Sequence, residues 1–446
     1  MKFLNKQFTQ ETLKLALPVM LTQVGQVSVN LFDNIIVGKL LGAKALAAVS
    51  LGNAMFFSIF IFGLGFSLAI PPLVSEAHSQ HDHNRINSIF RHGFVVNIIL
   101  AFVLMLLIFG IIPLMPYLNQ PKEILPDTIT FLSIVTLSII PFMIFQTMRE
   151  VSEGLSFTIG VTKATIFANV INVILNYVFI EHFKMGVAGS AWATFIARVA
   201  MMVFLYYVLI KEEKTRRYIK DFSLKIKDFS KEMFEKLIRL GFPTALQLFF
   251  EVTAFAGAAF ICGLISAKDI AAHQIALSMA SFTFNLCVGF SVASTVMIGR
   301  KLGEKDFVNL EKVGFNNLKI AFIFMLICGL VFILGKDVLP TFFTKKEDIA
   351  VVELASQLMI IAALFQLSDG IQVTALGCLR GIQDVKIPSI LTFIAYWVIT
   401  IPLGYYLTVP MKMGAFGMWI ALGIGLTISA VLLVIRFRNL SEKRIK

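Results

Sequence analysis

The chain has 446 residues, of which 57% are hydrophobic and 15% are charged, and its formal net charge is +12. A soluble protein would carry nearer a quarter charged residues, so the composition excludes an ordinary soluble enzyme. Apolar runs of about 20 residues recur from end to end, and each can cross the hydrocarbon core of a bilayer as a helix. No run shows the polar and apolar alternation that is typical of a membrane β-barrel.

The hydropathy pattern therefore predicts an all-α integral membrane protein with twelve transmembrane helices. In chain order the predicted spans lie near residues 15–37, 46–74, 93–115, 130–150, 161–181, 188–210, 238–264, 270–298, 315–337, 351–378, 386–407 and 413–435. The loops between these spans are too short to hold a soluble catalytic domain. We expect a multi-pass protein whose main surroundings are the lipid bilayer.

The first six spans and the last six spans repeat one another. Residues 15–18 read LALP and residues 240–243 read LGFP, and each motif opens a long apolar run. The motif GFS at 65–67 recurs at 289–291. A repeat of this length predicts two six-helix bundles, which are parallel because each begins on the same side of the membrane. We expect an N-terminal lobe over 1–210, a basic cytoplasmic linker over 211–237 and a C-terminal lobe over 238–446.

The basic residues are unevenly divided between the two sides of the predicted membrane. One side, which holds both termini, carries 29 of the 39 Lys and Arg residues, and the other side carries nine. The positive-inside rule therefore places both termini in the cytoplasm. The run 211–239 alone holds ten Lys and Arg, which indicates a linker at the inner membrane surface. A nucleic-acid surface is the alternative, but no folded domain is predicted to present it, so we expect no nucleic-acid partner.

Two carboxylates lie deep inside predicted spans of the second half. Glu251 is in the sequence LQLFFEVTAFAG, and Asp369 is in LFQLSDGIQ. An ionised carboxylate is costly in hydrocarbon unless it faces water or a partner, so such residues are candidates for function. Burial favours binding of a proton, whereas a bound metal cation would keep the carboxylate ionised. A hydrogen-bonded core residue is the alternative for each of them.

A third carboxylate, Asp33, lies toward the outer end of the first span. Asn30 precedes it by one helical turn and Asn34 adjoins it, so polar groups surround it in sequence. The repeat aligns Glu251 with Gln26 and Asp369 with Gln146, which are both neutral amides. The carboxylates of the second half therefore have no counterpart in the first half, which favours an ion-coupling site placed mainly in the C-terminal lobe.

The remaining charges near the spans have simpler interpretations. Arg149, Glu150 and Glu153 stand at the inner end of the fourth span, where we expect them to pair with one another at the membrane surface. Arg198 lies inside the sixth span, where it is expected to pair with a polar group or to extend toward the interface.

The sequence lacks the motifs of a nucleotide-hydrolysing transporter and of the common hydrolytic enzymes. It contains no GxxxxGK phosphate-binding loop, no GxSxG and no HExxH, so energy must come from an ion gradient or from downhill flow. A membrane-embedded enzyme would need a nucleophile or metal set beside the carboxylates, and a purely structural protein would not retain three of them. We expect no cofactor and no structural metal, with Na⁺ or H⁺ as the coupling ion.

The chain resembles the multidrug and toxic compound extrusion (MATE) transporters, and most of all their NorM-like branch. The stretches LALPVMLTQVGQ, FDNIIVGKLLGAKALAAVSLG, LGFPTALQLFFEVTAF, DIAAHQIALS and ALGCLRGIQDVKIP carry the resemblance. Members of this branch place an aspartate in span 1, a glutamate in span 7 and an aspartate in span 10. Here these positions fall on Asp33, Glu251 and Asp369.

The resemblance implies two V-shaped lobes in the bacterial inner membrane and export of cationic amphipathic drugs or toxins by alternating access. It implies that Glu251 and Asp369 bind the coupling cation. It makes Asp33 a further acidic cavity residue and a third candidate for cation coupling, which leaves a role of the N-terminal lobe open. Gln26, Asn30, Asn34, Gln146, Phe250 and Phe255 are then candidate cavity residues, and a monomer is expected. A lipid-linked oligosaccharide flippase of the same superfamily is the closest alternative. It should have a strongly cationic cavity, whereas Arg198 is the clear mid-span cation here.

Overall fold

The computed structural model describes residues 4–117, 121–225, 228–343 and 349–445, and within these residues it contains helices and turns but no strand. The first half forms α1 (Lys6–Leu41), α2 (Ala43–Ser67), α3 (Ile70–Ser79), α4 (His83–Ile111), α5 (Leu125–Leu137), α6 (Ile139–Gly154), α7 (Ile159–Tyr177), α8 (Gly186–Lys211) and the short α9 (Glu213–Lys220). The second half forms α10 (Lys231–Gly263), α11 (Ala267–Gly303), α12 (Phe307–Gly335), α13 (Ile349–Gly381), α14 (Lys386–Phe393), α15 (Ile401–Thr408) and α16 (Gly414–Ile445). Five lysines that entered the charge count above lie outside the described residues, namely Lys2, Lys227, Lys345, Lys346 and Lys446.

The described helices confirm the predicted membrane class. Eleven of them, with α2–α3 and α14–α15 each continuing as one span, are long and apolar enough to cross a bilayer. The bent pair α5 and α6, which meet at 42°, makes a twelfth. This pair corresponds to the predicted span near 130–150. Pro141 accounts for the break, because it has no N–H to donate to the carbonyl of Leu137, where α5 ends.

The fifth span of each repeat contains a π-helical turn. The turn at Val178–His182 follows α7, and the turn at Ile394–Thr400 joins α14 to α15. A π turn inserts an extra residue into the helix and so changes which side chains face the neighbouring helices. These two turns lie beside the polar residues described in the next section.

The described residues divide into two compact units. One unit, here called the C unit, combines the chain up to Met20 with the chain from Leu246 onward, and the other, the N unit, is Leu21–Ala245. Each of the helices α1 and α10 is therefore shared between the two units. The lobe boundaries at 1–210 and 238–446 rest on the sequence repeat and not on packing, and they stay a prediction.

The repeated GFS motif marks where the shared helices pack. In the N unit, a methyl group on Gly65 would lie 2.6 Å from the Cα of Ala245, near the middle of α10. In the C unit, a methyl group on Gly289 would lie 2.8 Å from the carbonyl oxygen of Ala16 in α1. The two glycines occupy equivalent positions in the repeat, and each permits a close backbone approach that a larger residue would prevent.

The basic linker also packs on the N unit. Its Tyr218 is buried and its hydroxyl lies 2.7 Å from Nδ1 of His83, while burial raises the pKa of that tyrosine. Further along, the backbone N–H of Ser230 donates to Nε2 of the buried His92 over 2.8 Å. These contacts hold the start of α10 against α4.

We expect the Gly289→Ala substitution to destabilise the protein. The added methyl group would meet a backbone carbonyl that cannot move by a side-chain rotation, and overpacking of this kind costs about 1–3 kcal/mol. Thermal unfolding of the purified protein in detergent measures the effect. The matched control is Gly423→Ala on α16, where nothing lies within 4 Å of the added methyl group. Equal melting temperatures for the two variants would contradict the packing argument.

Candidate functional site

The two carboxylates predicted in the second half lie together inside the C unit. Glu251 on α10 is 7% exposed and Asp369 on α13 is 4% exposed. They are close enough that the charge of Glu251 acts electrostatically on Asp369. Neither belongs to any ion pair formed by the described residues. Two buried carboxylates without a paired cation form a site that a small cation or a proton would stabilise.

Two further residues complete this cluster. The hydroxyl of Tyr396, in the π turn of the eleventh span, donates to Oε1 of Gln372 over 3.0 Å. The same hydroxyl also interacts by hydrogen bonding with the Glu251 side chain. Both Tyr396 and Gln372 are buried. The cluster thus offers two carboxylates, a phenol and an amide, which are all oxygen ligands suited to a hard cation.

The neighbouring residues of α10 hold the π turn against Glu251. The indole N–H of Trp397 donates to the carbonyl oxygen of Phe250 over 3.1 Å. The ring of Phe250 packs on Phe393 with centroids 4.8 Å apart, and Phe255 lies 5.8 Å from the ring of Tyr396. Phe250 and Phe255 therefore position the cluster. Their predicted role in holding substrate stays a prediction.

Arg380 is the cation that acts on this cluster from within the C unit. It lies further along α13 and attracts the Glu251 carboxylate electrostatically. Its guanidinium is held elsewhere, because Nη2 donates to Oγ of Ser291 over 2.8 Å. Arg380 thus offsets part of the negative charge of the cluster while leaving the carboxylate oxygens available.

Asp33 lies in a separate polar cluster within the N unit. It is 7% exposed, and Nδ2 of Asn176 donates to its Oδ1 over 2.6 Å. The same amide nitrogen lies 3.4 Å from Oδ1 of Asn172, one turn earlier on α7. Of the other residues predicted on α1, Gln26 is half-buried, while Asn30 and Asn34 are exposed. The structure thus sets Asp33 inward between two outward-facing asparagines.

Arg198 lies opposite Asp33 in the same unit. It attracts Asp33 electrostatically, but the pair is not among the ion pairs of the described residues. Its Nη1 donates to Oγ of Ser138 over 2.7 Å, at the break between α5 and α6. The guanidinium also lies 4.8 Å from the ring centroid of Phe56 and 5.2 Å from that of Phe142. These contacts fix a cation in the N unit, as expected for an arginine that finds polar and aromatic partners.

The predicted residue Gln146 is buried at the inner end of the fourth span. Its amide donates to Oε1 of Glu150, one turn further along α6. Next to them, Arg149 and Glu153 form an ion pair of 2.7 Å, which is the pairing that the sequence suggested. All four residues are buried among the helices, and the position of Arg149, Glu150 and Glu153 at the membrane surface stays a prediction.

The sequence analysis missed Tyr396, Gln372, Asn172 and Asn176. A polar signal was present, since each of these residues interrupts a predicted apolar span. Asn172 and Asn176 are also spaced by one helical turn and so share a face of α7. Amides and phenols are common in membrane helices, however, so only contact with a carboxylate separates these residues from others of their type.

Comparison with known proteins decides the family. The MatE family model matches residues 18–178 and 243–406. The chain belongs to the MatE family of multidrug and toxic compound extrusion transporters. It is 33% identical to a probable multidrug resistance protein NorM from Agrobacterium fabrum over 98% of this chain and 94% of the relative. It is 31% identical to the multidrug resistance protein NorM from Photobacterium profundum over 96% of this chain and 95% of the relative.

Solved structures agree with this assignment at the level of the fold. A MOP superfamily transporter from Pyrococcus furiosus matches with a TM-score of 0.90 at 20% identity, over 98% of this chain and 97% of the other. An outward-facing multidrug resistance MATE family transporter matches with a TM-score of 0.89, also at 20% identity and with the same coverage. Membership of the MatE family confirms the predictions of a membrane transporter and of a protein that is not an enzyme.

We expect Tyr396→Phe to lower the stability of this MatE protein. The substitution keeps the ring against Phe255 but removes the hydroxyl, which leaves Oε1 of Gln372 buried without its donor. A lost partner of this kind costs about 1–3 kcal/mol. Thermal unfolding in detergent measures the change, and Tyr405→Phe is the control because Tyr405 is 48% exposed. If both variants melted with the wild type, the hydroxyl would have no part in holding the cluster.

Proposed function

We propose that this MatE protein is a secondary active multidrug exporter that exchanges cationic, amphipathic compounds for Na⁺ or H⁺ by alternating access. Relatives with about one third identity over nearly the full chain are named multidrug resistance proteins, which supports the substrate class. The observation that carries the proposal is the pair of buried carboxylates, Glu251 and Asp369, which have no ion-pair partner among the described residues of the C unit.

The coupling ion would act by changing the charge of this pair. With both carboxylates ionised, the Glu251–Asp369 pair attracts a positively charged compound. Binding of Na⁺ or H⁺ between Glu251 and Asp369 cancels part of that charge, so the attraction for the compound falls. Exchange follows if the ion and the compound favour different states of the transporter, since a ligand shifts a conformational equilibrium only through its different affinities for the two states.

Asp33 has a different electrostatic setting. The fixed guanidinium of Arg198 opposes it, and Asn176 occupies one of its oxygens. We assign it a role in attracting cationic compounds rather than in holding the coupling ion. In the N unit the proposed substrate-contacting residues are Gln26, Asn30, Asn34 and Gln146, and in the C unit they are Phe250 and Phe255. Aromatic rings suit compounds that are both apolar and cationic.

The proposed setting is the inner membrane of a bacterium, with both termini in the cytoplasm and the protein acting as a monomer. The threefold excess of Lys and Arg on the side of the termini supports this orientation. The bacterial sources of the NorM relatives support the choice of membrane. The bilayer and a small-molecule substrate are the partners that the proposal requires.

The Glu251→Gln variant tests the coupling role. The amide keeps the size of the side chain but cannot be ionised, so we expect gradient-driven efflux of a fluorescent organic cation to fall by at least tenfold. Proteoliposomes with the Na⁺ gradient and the pH gradient imposed separately provide the measurement and identify the ion. The control is Glu442→Gln in the same unit, where the carboxylate is exposed and pairs with Arg438. Unchanged efflux in the Glu251 variant would remove this residue from the coupling role.

The Asp33→Asn variant tests whether Asp33 attracts the substrate while the C unit binds the coupling ion. We expect the KM for a cationic substrate to rise severalfold, because an attractive charge is lost, while cation binding by the C unit persists. Efflux of a cationic dye and equilibrium binding of ²²Na⁺ by the same preparation measure the two properties. A loss of ²²Na⁺ binding in this variant would place Asp33 in the ion site instead.

A further inference from the structure

A buried amide lies one helical turn before Asp369 on α13. Gln366 is 0% exposed, and its carbonyl oxygen Oε1 has no hydrogen-bond partner among the described residues. Buried polar atoms in folded proteins are almost always paired, because an unpaired atom loses the hydrogen bonds that it would make to water. The Gln366 oxygen is therefore open to a positive group that reaches it from the neighbouring ion site.

A threonine of α11 fixes the orientation of this amide. The hydroxyl of Thr283 donates its hydrogen to the carbonyl oxygen of Ala280 over 2.9 Å, so its own oxygen is left to accept. Nε2 of Gln366 donates to that oxygen. Because Thr283 holds the nitrogen end of the amide, the oxygen end is directed away from Thr283.

Asp369 lies on the same face of α13 as Gln366. Side chains three residues apart are neighbours on a helix, with about 5–6 Å between their Cβ atoms. Each Cα–Cβ bond also tilts toward the start of the helix, so the Asp369 side chain leans toward the turn that holds Gln366. The contacts with α11 agree, since Gln366 bonds Thr283 while Asp369 acts electrostatically on Cys287, one turn further along α11. The Gln366 oxygen and the Asp369 carboxylate thus lie together between α11 and α13.

The known donor of the cluster is directed elsewhere. The Tyr396 hydroxyl donates to Gln372, one turn beyond Asp369 on α13. With Asp369 ionised, its carboxylate and the Gln366 carbonyl are neighbouring groups that can only accept. A cation would satisfy both of them, because Na⁺ takes carboxylate and amide oxygens as ligands, and a proton on Asp369 would be donated to the amide oxygen in a hydrogen bond.

We infer that Gln366 supplies the neutral oxygen of the coupling-ion site at Asp369 and that Thr283 positions this oxygen. The inference rests on the exchange proposed above and deepens it, because it adds an oxygen that the two carboxylates do not provide. Na⁺ and H⁺ are two sources of the same interaction, which is a positive group shared between the carboxylate and the amide oxygen. Gln366 therefore raises the affinity for the ion, whereas the attraction of a cationic substrate depends on charge that Gln366 does not carry.

The concentration of coupling ion that gives half-maximal efflux tests the role of Gln366. Gln366→Met removes the carbonyl with little change in volume, and we expect the required concentration to rise at least tenfold, which for H⁺ is a pH lower by about one unit. The KM for the substrate at saturating ion should stay within about twofold of the wild type. If the ion is Na⁺, equilibrium binding of ²²Na⁺ to the purified full-length protein should weaken by the same factor. The control is Gln274→Met on α11, which is the same chemical change at an exposed position.

Thr283→Val tests the positioning step. Valine keeps the shape of the side chain but offers no oxygen to the Gln366 amide, so we expect the required ion concentration to rise severalfold. Because Thr283 acts through Gln366, adding Thr283→Val to Gln366→Met should cause no further rise. A further rise in the double variant would show that Thr283 acts independently and would overturn its positioning role.

A wild-type ion requirement in Gln366→Met would overturn the inference. If that variant fails to fold, as judged by its melting temperature, Thr283→Val decides, and an unchanged ion requirement there would reject the role of Gln366. Failure of the proposed function appears separately, as unchanged gradient-driven efflux in Glu251→Gln. Failure of this inference alone would leave Glu251→Gln inactive and Gln366→Met normal.

Discussion

The energetic cost of holding ionised carboxylates in an apolar interior is the constraint on which the rest of this structure depends. Each buried carboxylate meets that cost in a different way. Glu153 forms an ion pair with Arg149. Asp33 accepts a hydrogen bond from the Asn176 amide and is attracted by the guanidinium of Arg198. Within the part of the chain that the structure describes, Glu251 interacts with the Tyr396 hydroxyl and with the charge of Arg380, while Asp369 is exposed to the like charge of Glu251. The Glu251–Asp369 cluster is therefore the one in which the protein's own groups offset the negative charge least. It is also the one that an exchangeable cation would stabilise most.

The two repeats keep the same backbone irregularity while they change its chemistry. The π turns lie in the fifth span of each half, beside Asn176 in one unit and around Tyr396 in the other. In the N unit the adjacent polar residue is an amide that donates to an aspartate, and in the C unit it is a phenol that bridges an amide and a glutamate. A duplicated scaffold has thus retained its geometry at this point while the two halves acquired different electrostatic properties.

The sequence was sufficient for the class of fold and for the principal carboxylates, because a charge inside an apolar run is visible without any knowledge of packing. Glu251 and Asp369 were therefore found, and the structure places them together. Tyr396 and Asn176 were not found, since a neutral polar residue in a membrane helix is common and gains meaning only from its neighbour. The burial of Glu150 was also not foreseen, because hydropathy marks where a span ends but not which helices cover that end.

Because α1 and α10 are shared between the units, the C unit can pack fully only after widely separated parts of the chain have been synthesised. Thr12, near the start of the chain, is buried in the C unit, where its hydroxyl lies 2.6 Å from Oδ1 of Asn317, a residue 305 positions later. Glu11 is likewise paired with Arg300. The start of α1 therefore gains these two partners only after Arg300 and Asn317 have been synthesised. A nascent chain that stops before α11 lacks both partners of this helix start, so closure of the C unit around α1 depends on the synthesis of α11 and α12.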